Sequence, residues 1–288
     1  MIAVFKKELR AAYTGLLGYA LSAFYLLFAG VFVTMNNLYG KDTSVETTYS
    51  YILFALLMII PVLTMRSLAE ERQSGTNLLL SSLPIRTLDY VLGKYLALLV
   101  VLALPIWLVG SYSLILSFYG NVRPMSAVLV TFALFLVAAS MTAIGLFISS
   151  ITSSVMMAAV LTLGALLLIY YLPALVILLP ATALGSFFVF TILAICIGSL
   201  IGYFTKSLNW GLLTTALLEG ILVALLLFFP TLLEGSAATI IGLLSLTSRF
   251  ELFSLYGLFD LSAVFYFLSM CFLFIYFTVA SVEKRRWN

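Results

Sequence analysis

The chain is built from long apolar runs, each on the order of 18 residues or more, the length an α-helix needs to cross the hydrocarbon core of a bilayer. The stretch from Val155 to Leu179 carries no charged side chain at all. Helices on the surface of a soluble protein need a polar face, and such a stretch has none to offer. Composition agrees: 64% of the 288 residues are hydrophobic and 9% are charged, against about half and about a quarter in ordinary globular chains. The expected fold class is all-α. It is a polytopic helical membrane protein, a single transmembrane domain over residues 1–288 with no soluble domain of useful size.

What the chain lacks narrows its chemistry. It has no histidine, so histidine acid–base catalysis, haem ligation through His and most zinc sites are excluded. Cys196 and Cys271 stand singly inside apolar runs, where they act as small hydrophobes. Gly93-Lys94 lacks the upstream glycine of a phosphate-binding loop, since Leu88 stands there, and Tyr95 follows it; the chain cannot hold a nucleotide that way. No catalytic, metal or cofactor residues are expected.

At the start, Phe5, Leu9, Ala12 and Leu16 recur at helical spacing opposite Lys6, Lys7 and Arg10. That pattern predicts an interfacial amphipathic helix over residues 1–15, its basic face toward anionic headgroups. Membrane lipids are therefore expected partners, and nucleic acid is not. The apolar run that follows is read as an uncleaved first span. About eight spans are expected, at Leu16–Met35, Tyr49–Ser67, Leu92–Phe118, Met125–Ile148, Val155–Leu178, Leu184–Phe204, Trp210–Phe229 and Leu261–Val282. Pro173 and Pro180 interrupt the middle of the chain. Six crossings with a re-entrant pair between Leu184 and Phe229 are the alternative. With the N-terminus inside, eleven Lys and Arg residues fall on the cytoplasmic side, and only Lys41, Arg123 and Arg249 fall outside. This positive-inside split predicts cytoplasmic N- and C-termini in an inner (plasma) membrane.

Arg66, Glu70, Glu71, Arg72, Arg86, Asp89 and Lys94 crowd one inside segment, residues 68–91 and their flanks. Its Leu78, Leu79, Leu80 and Leu83 could line one face of a short helix along the membrane. Connections commonly run about 2–6 residues, so a stretch this long reads as a docking element as well as a solvated loop. Three further features stand out. Glu219 lies deep in an apolar span; an ionised carboxylate facing lipid there costs several kcal/mol, so it faces protein or water, or stays neutral, as a pathway acid or as structural glue. Residues 230–260 form an extracytoplasmic segment in which Arg249, Glu251 and Asp260 interrupt apolar positions, an exit cap or a plain linker. Gly198-x-x-x-Gly202 permits close helix approach, as a dimer motif or by chance.

Several short motifs together carry a family resemblance. Pro61-x-x-Thr64-Met65-Arg66, Glu70-Glu71-Arg72-x-x-Gly75-Thr76, Leu83-Pro84 and Gly93-Lys94 resemble the type-2 ABC transporter permeases, above all the gliding-motility-associated branch. The opening Phe5-Lys6-Lys7-Glu8-Leu9, the Gly145 to Thr152 stretch, Gly257-x-x-Asp260 with Tyr266, and Glu283-Lys284-Arg285-Arg286-Trp287 are similar to the same family. The likeness covers residues 1–155 and 248–288, and residues 156–247 match poorly. It implies a permease subunit, an exporter by family, that dimerises with a second copy or a homologous permease and pairs with a cytoplasmic ABC ATPase dimer. ATP would be bound by that partner, with no cofactor on this chain and no enzymatic activity of its own. The resemblance puts Glu70, Glu71, Arg72, Gly75 and Thr76 in the ATPase-coupling element and Pro84 and Lys94 at its far end. Leu79 and Leu83 would supply buried contact. Leu78 stands where the family often has a glutamate. An ion-gradient-driven secondary transporter is the alternative, though no inverted repeat is evident. A lipid-modifying membrane enzyme fits less well.

Overall fold

A computed structural model describes residues 1–40, 45–76, 86–118, 124–205, 207–243, 245–256 and 259–286. The described residues are helical, with no strand among them. The helices are α1 (Ile2–Thr14), α2 (Leu16–Val33), α3 (Val45–Gln73), α4 (Thr87–Ser117), α5 (Pro124–Ile151), α6 (Val155–Ile177), α7 (Ala183–Thr205) and α8 (Leu208–Phe228), then the short α9 (Pro230–Leu233), α10 (Ser236–Leu243) and α11 (Leu246–Tyr256), and last α12 (Leu261–Arg286). Among the described residues seven helices are long and apolar enough to cross a membrane, on α2 to α6, α8 and α12; α7 contributes a shorter apolar stretch, Ala183–Ser199. The polytopic helical architecture is as the apolar runs predict, with a helix at each of the eight expected places.

The helices outrun the apolar runs, because backbone hydrogen bonding does not stop where hydropathy falls. α3 continues through Leu68 to Gln73, so the first quarter of the polar segment is helix. Just past the expected end of the first span at Met35, Asn36 and Asn37 lie in a π-helical turn, Thr34–Tyr39, tied to the start of α3 by Thr48 donating to Asn37 Oδ1 at 2.7 Å. Pro61, Pro105 and Pro173 lie inside α3, α4 and α6. Pro173 therefore does not end its helix, and membrane helices tolerate such prolines where neighbours restore the freed backbone groups.

By contact the chain divides into two compact units, residues 1–168 with 249–288, and residues 169–248. In the first, α5 packs against α3, α4 and α12. The most apolar windows of α5 and α3 are 78% and 72% buried, against 22% for α2 and α12, which makes this pair the core. The sequence of α5 explains it: Ala127, Ala133, Ala138, Ala139 and Ala143 are all buried, and small side chains let membrane helices approach closely. Polar atoms then join helices directly. Tyr49 Oη lies 3.0 Å from Thr131 Oγ1, Tyr95 donates to the Ala139 carbonyl at 3.1 Å, and Ser140 donates to the Phe267 carbonyl at 3.1 Å. α1 is amphipathic as predicted, with Phe5, Leu9 and Ala12 half-buried and Lys6, Lys7 and Arg10 exposed; Leu16 falls in α2 and is exposed. Before α12, Asp260 Oδ1 accepts from the Ser262 amide at 2.9 Å, an N-terminal cap. The Arg249 guanidinium lies 6.0 Å from the centre of the Tyr266 ring, within cation–π range.

In the second unit α7 and α8 form the main pair. A Cβ on Gly211 would meet the Gly198 carbonyl at 2.8 Å and Gly202 Cα at 3.1 Å, and one on Gly198 would collide with Thr215. The Gly198-x-x-x-Gly202 pattern is thus filled by α8 of the same chain. The outer faces of this pair carry exposed Phe188, Ile192, Leu213, Leu217 and Ile221, as helices solvated by lipid tails do.

Candidate functional site

Past Asp89 in its first turn, α4 carries Lys94, whose side chain is buried. An ammonium has three protons to donate, and each finds an acceptor: Glu8 Oε1 of α1 at 3.0 Å, Glu71 Oε1 of α3 at 2.9 Å, and the Ser67 carbonyl at 2.6 Å. Tyr90, one turn earlier on α4, donates to the other oxygen of Glu71, and its ring centre lies 5.3 Å from the Lys94 nitrogen. Lys7 adds longer contacts to Glu71 and Glu8, at 3.7 and 3.9 Å. Gly93 makes room for this knot. A Cβ there would meet the Met1 carbonyl and Val4 Cβ, both at 3.0 Å. Beside it Leu68, Val91, Tyr95, Ala143 and Leu146 form a buried apolar cluster, which keeps water out and strengthens each pairing.

Immediately beyond Glu71, α3 stops. Gly75 has φ +72°, the left-handed conformation that glycine adopts without penalty at a helix C-terminus. Its amide donates to the Arg72 carbonyl at 3.1 Å, and Thr76 Oγ1 donates to the Glu71 carbonyl at 3.2 Å. The Gly75-Thr76 pair is therefore a helix stop. The C-terminal end of α5 is secured from two sides, since the last carbonyls of a helix lack internal partners and favour cations. Arg72 donates to the Thr152 carbonyl at 2.8 Å, Arg285 of α12 to the Ile151 carbonyl at 2.5 Å, and Ser281 to the Ser150 carbonyl at 3.4 Å. Ser149 Oγ accepts from the amides of Leu68 and Ala69, both at 3.1 Å. One turn deeper, a Cβ on Gly145 would lie 2.5 Å from Thr64 Oγ1. The spacing of Thr64, Arg72, Gly145 and Ser149 is thus the spacing of one helix contact.

Of the residues singled out in the sequence, the structure brings Glu71 and Lys94 together and holds Arg72 on Thr152. Gly75 and Thr76 end α3. Glu70 is exposed, with no ion pair among the described residues. Leu79, Leu83 and Pro84 lie outside the described residues. Reasoning from sequence missed Glu8, Tyr90 and Ser67 as members of the site. A signal for the first existed: a lone charge in an apolar run needs an opposite charge, and Glu8 is the one acid in the basic α1.

A model of the ABC-2 family transporter proteins matches residues 5–230. The chain belongs to the ABC-2 transporter family. It is the permease, the membrane-spanning transport component, and is not itself the catalytic subunit. The match runs through residues 156–230, the stretch whose motifs look least like the family, and ends before the Gly257–Tyr266 motif. A search of curated proteins finds no match.

Glu219 lies in the permease's second unit, on α8. Its Oε2 accepts from Thr191 Oγ1 of α7 at 3.2 Å, while Oε1 is buried with no hydrogen-bond partner. The acid ties the two helices together. Glu219→Gln, which keeps an acceptor for Thr191, is expected to leave assembly, melting temperature and transport nearly unchanged. Glu219→Leu is expected to lose less than about 2 kcal/mol, the scale of interhelical hydrogen bonds in membranes. Transport and melting of both variants check this; a transport loss in Glu219→Gln at normal stability would make it a pathway acid instead.

Proposed function

We propose that the permease is one membrane subunit of an exporter in the gliding-motility-associated branch of its family. It works as a dimer, with a second copy or a homologous permease, on a separate pair of cytoplasmic ATPase subunits. Those subunits hold the ATP. The chain lies in the inner (plasma) membrane with both termini in the cytoplasm and α1 in the interface, in keeping with the eleven-to-three split of its basic residues.

The observation that carries this proposal is the convergence with α1 of the ends of α3 and α4, which flank the proposed coupling segment, and of the ends of α5 and α12. Lys94, Arg72, Arg285 and Ser149 lock them there. A soluble partner seated on that segment pushes on several helices at once, as a coupling element must. Apolar residues at the centre of such a contact supply most of its energy, which assigns that part to Leu79 and Leu83. Glu70, whose side chain has no ion pair among the described residues, is a rim charge that orients the partner.

Charges on Glu71 and Arg72 are engaged within the chain, so reversing them tests folding before docking. Leu79→Asp with Leu83→Asp is the cleaner test, because an unpaired charge at a buried contact costs several kcal/mol. The doubly substituted permease is expected to melt normally while losing co-purification with a co-expressed ATPase and stimulation of its ATP turnover. Unchanged complex yield and turnover would sink the coupling assignment.

A further inference from the structure

Within the first unit, a cleft of about 700 Å³ opens between α1, α2, α3 and α4, well inside the range of roughly 300–1,000 Å³ that holds small-molecule ligands. Its lining changes character along α3. Glu70, Arg66 and Ser67 stand at one end, and Leu63 and Val62 follow one turn deeper, joined there by Leu21 of α2 and Val101 of α4. A smaller void shares Leu21, Leu63 and Val101 and continues the apolar lining toward Tyr25.

Three polar groups at the charged end have no side-chain partner among the described residues; Arg66 and Glu70 are exposed and Ser67 is buried. Ser67 is 7% exposed, and its Oγ is buried without a hydrogen-bond partner. Arg66 and Glu70 stand four residues apart, the spacing at which opposite charges on a helix meet. They form no ion pair with each other or with any described residue. A cation and a carboxylate, both exposed, therefore stand at a cleft whose far end is hydrocarbon, with the unpartnered Ser67 hydroxyl buried beside them.

We infer that the cleft is a binding site for a bilayer phospholipid with an amine headgroup. The planar guanidinium of Arg66 pairs with the phosphate, for which its fork is suited, and Ser67, by turning about χ1, brings its Oγ to donate to a phosphate or ester oxygen. Glu70 faces the ammonium. One acyl chain lies along Leu17, Leu21, Leu63 and Val101. The occupant follows from charge complementarity: one free cation and one free anion match a zwitterion better than an anionic lipid, and the apolar end matches its tail. Lipid held here would wedge α1 against the Lys94 knot, since Glu8 lines the same cleft.

Native mass spectrometry of the detergent-purified permease, incubated with phosphatidylethanolamine or phosphatidylglycerol, reads the site without any ATPase and so stands or falls apart from the coupling proposal. One phosphatidylethanolamine retained per chain, in preference to phosphatidylglycerol, is expected. Ala20→Trp, which fills the cleft from an exposed position, should abolish retention, whereas Leu27→Trp, two turns along the same face of α2 and outside the cleft lining, should not. Arg66→Gln should lower retention of both lipids roughly tenfold, about 1.4 kcal/mol or one charge-assisted contact. Glu70→Gln should erase the preference between them. No retained phospholipid in the unaltered permease, or unchanged retention in Ala20→Trp and Arg66→Gln, would overturn the site.

Discussion

Lys94→Met is expected to cause the largest loss of stability of any single substitution in the described part of the permease, about 3–5 kcal/mol, because removing one partner of a buried ion pair strands the other charge. Here two carboxylates lose their nearest cation. Glu8 and Glu71 both turn their Oε1 atoms toward the Lys94 nitrogen, and without it they keep only the exposed Lys7, at 3.9 and 3.7 Å. The first element to leave should be α1, which packs chiefly against α4. The melting temperature in detergent and protease cleavage between α1 and α2 measure the two effects separately. Adding Glu71→Gln to Lys94→Met removes one stranded charge while keeping an acceptor for Tyr90, so the double variant should be more stable than the single one. Lys94→Arg should rescue only in part, since a planar fork does not reproduce the three diverging bonds of an ammonium. A Lys94→Met permease that melts with the unaltered protein would show that the knot contributes nothing net.

Gly145→Ala is the second large effect, expected at about 1–3 kcal/mol, the usual penalty for overpacking a tight core. The added methyl would lie 2.5 Å from Thr64 Oγ1 and 3.0 Å from both Thr64 carbons beyond Cα. Those atoms are held in place, because Thr64 Oγ1 donates to the Ile60 carbonyl of its own helix at 2.8 Å. α3 and α5 must separate, and Ser149 then loses its reach to the Leu68 and Ala69 amides. Thr64→Ala removes two of the three clashing atoms, so Thr64→Ala with Gly145→Ala should recover most of the loss. Melting of the single and double variants decides it. An unshifted Gly145→Ala would mean that α3 and α5 are not in close contact there.

The membrane-spanning helices were legible because hydrocarbon imposes one requirement on every residue of a span, and that requirement is local: an apolar side chain and a backbone bonded within its own helix. The helix stop at Gly75 was visible as a residue choice, yet its meaning was not. A glycine and a threonine after a charged run suit a docking loop as readily as the end of a helix. The ends of α3 were obscured for a related reason, since hydropathy marks where lipid contact ends and not where hydrogen bonding does.

The sequence by itself determined the class of the protein, the places of its spans and the amphipathic pattern of its first helix, since each follows from neighbours along the chain. Only the tertiary structure decided what the charges do. Lys94 meets Glu8 and Glu71 across 86 and 23 residues of chain, and Arg72 meets the Thr152 carbonyl across 80. Separations of that kind are set by which helices pack together, and in a membrane that choice is made by shape and small residues such as Gly145 and the alanines of α5 more than by hydrophobicity, which all the helices share.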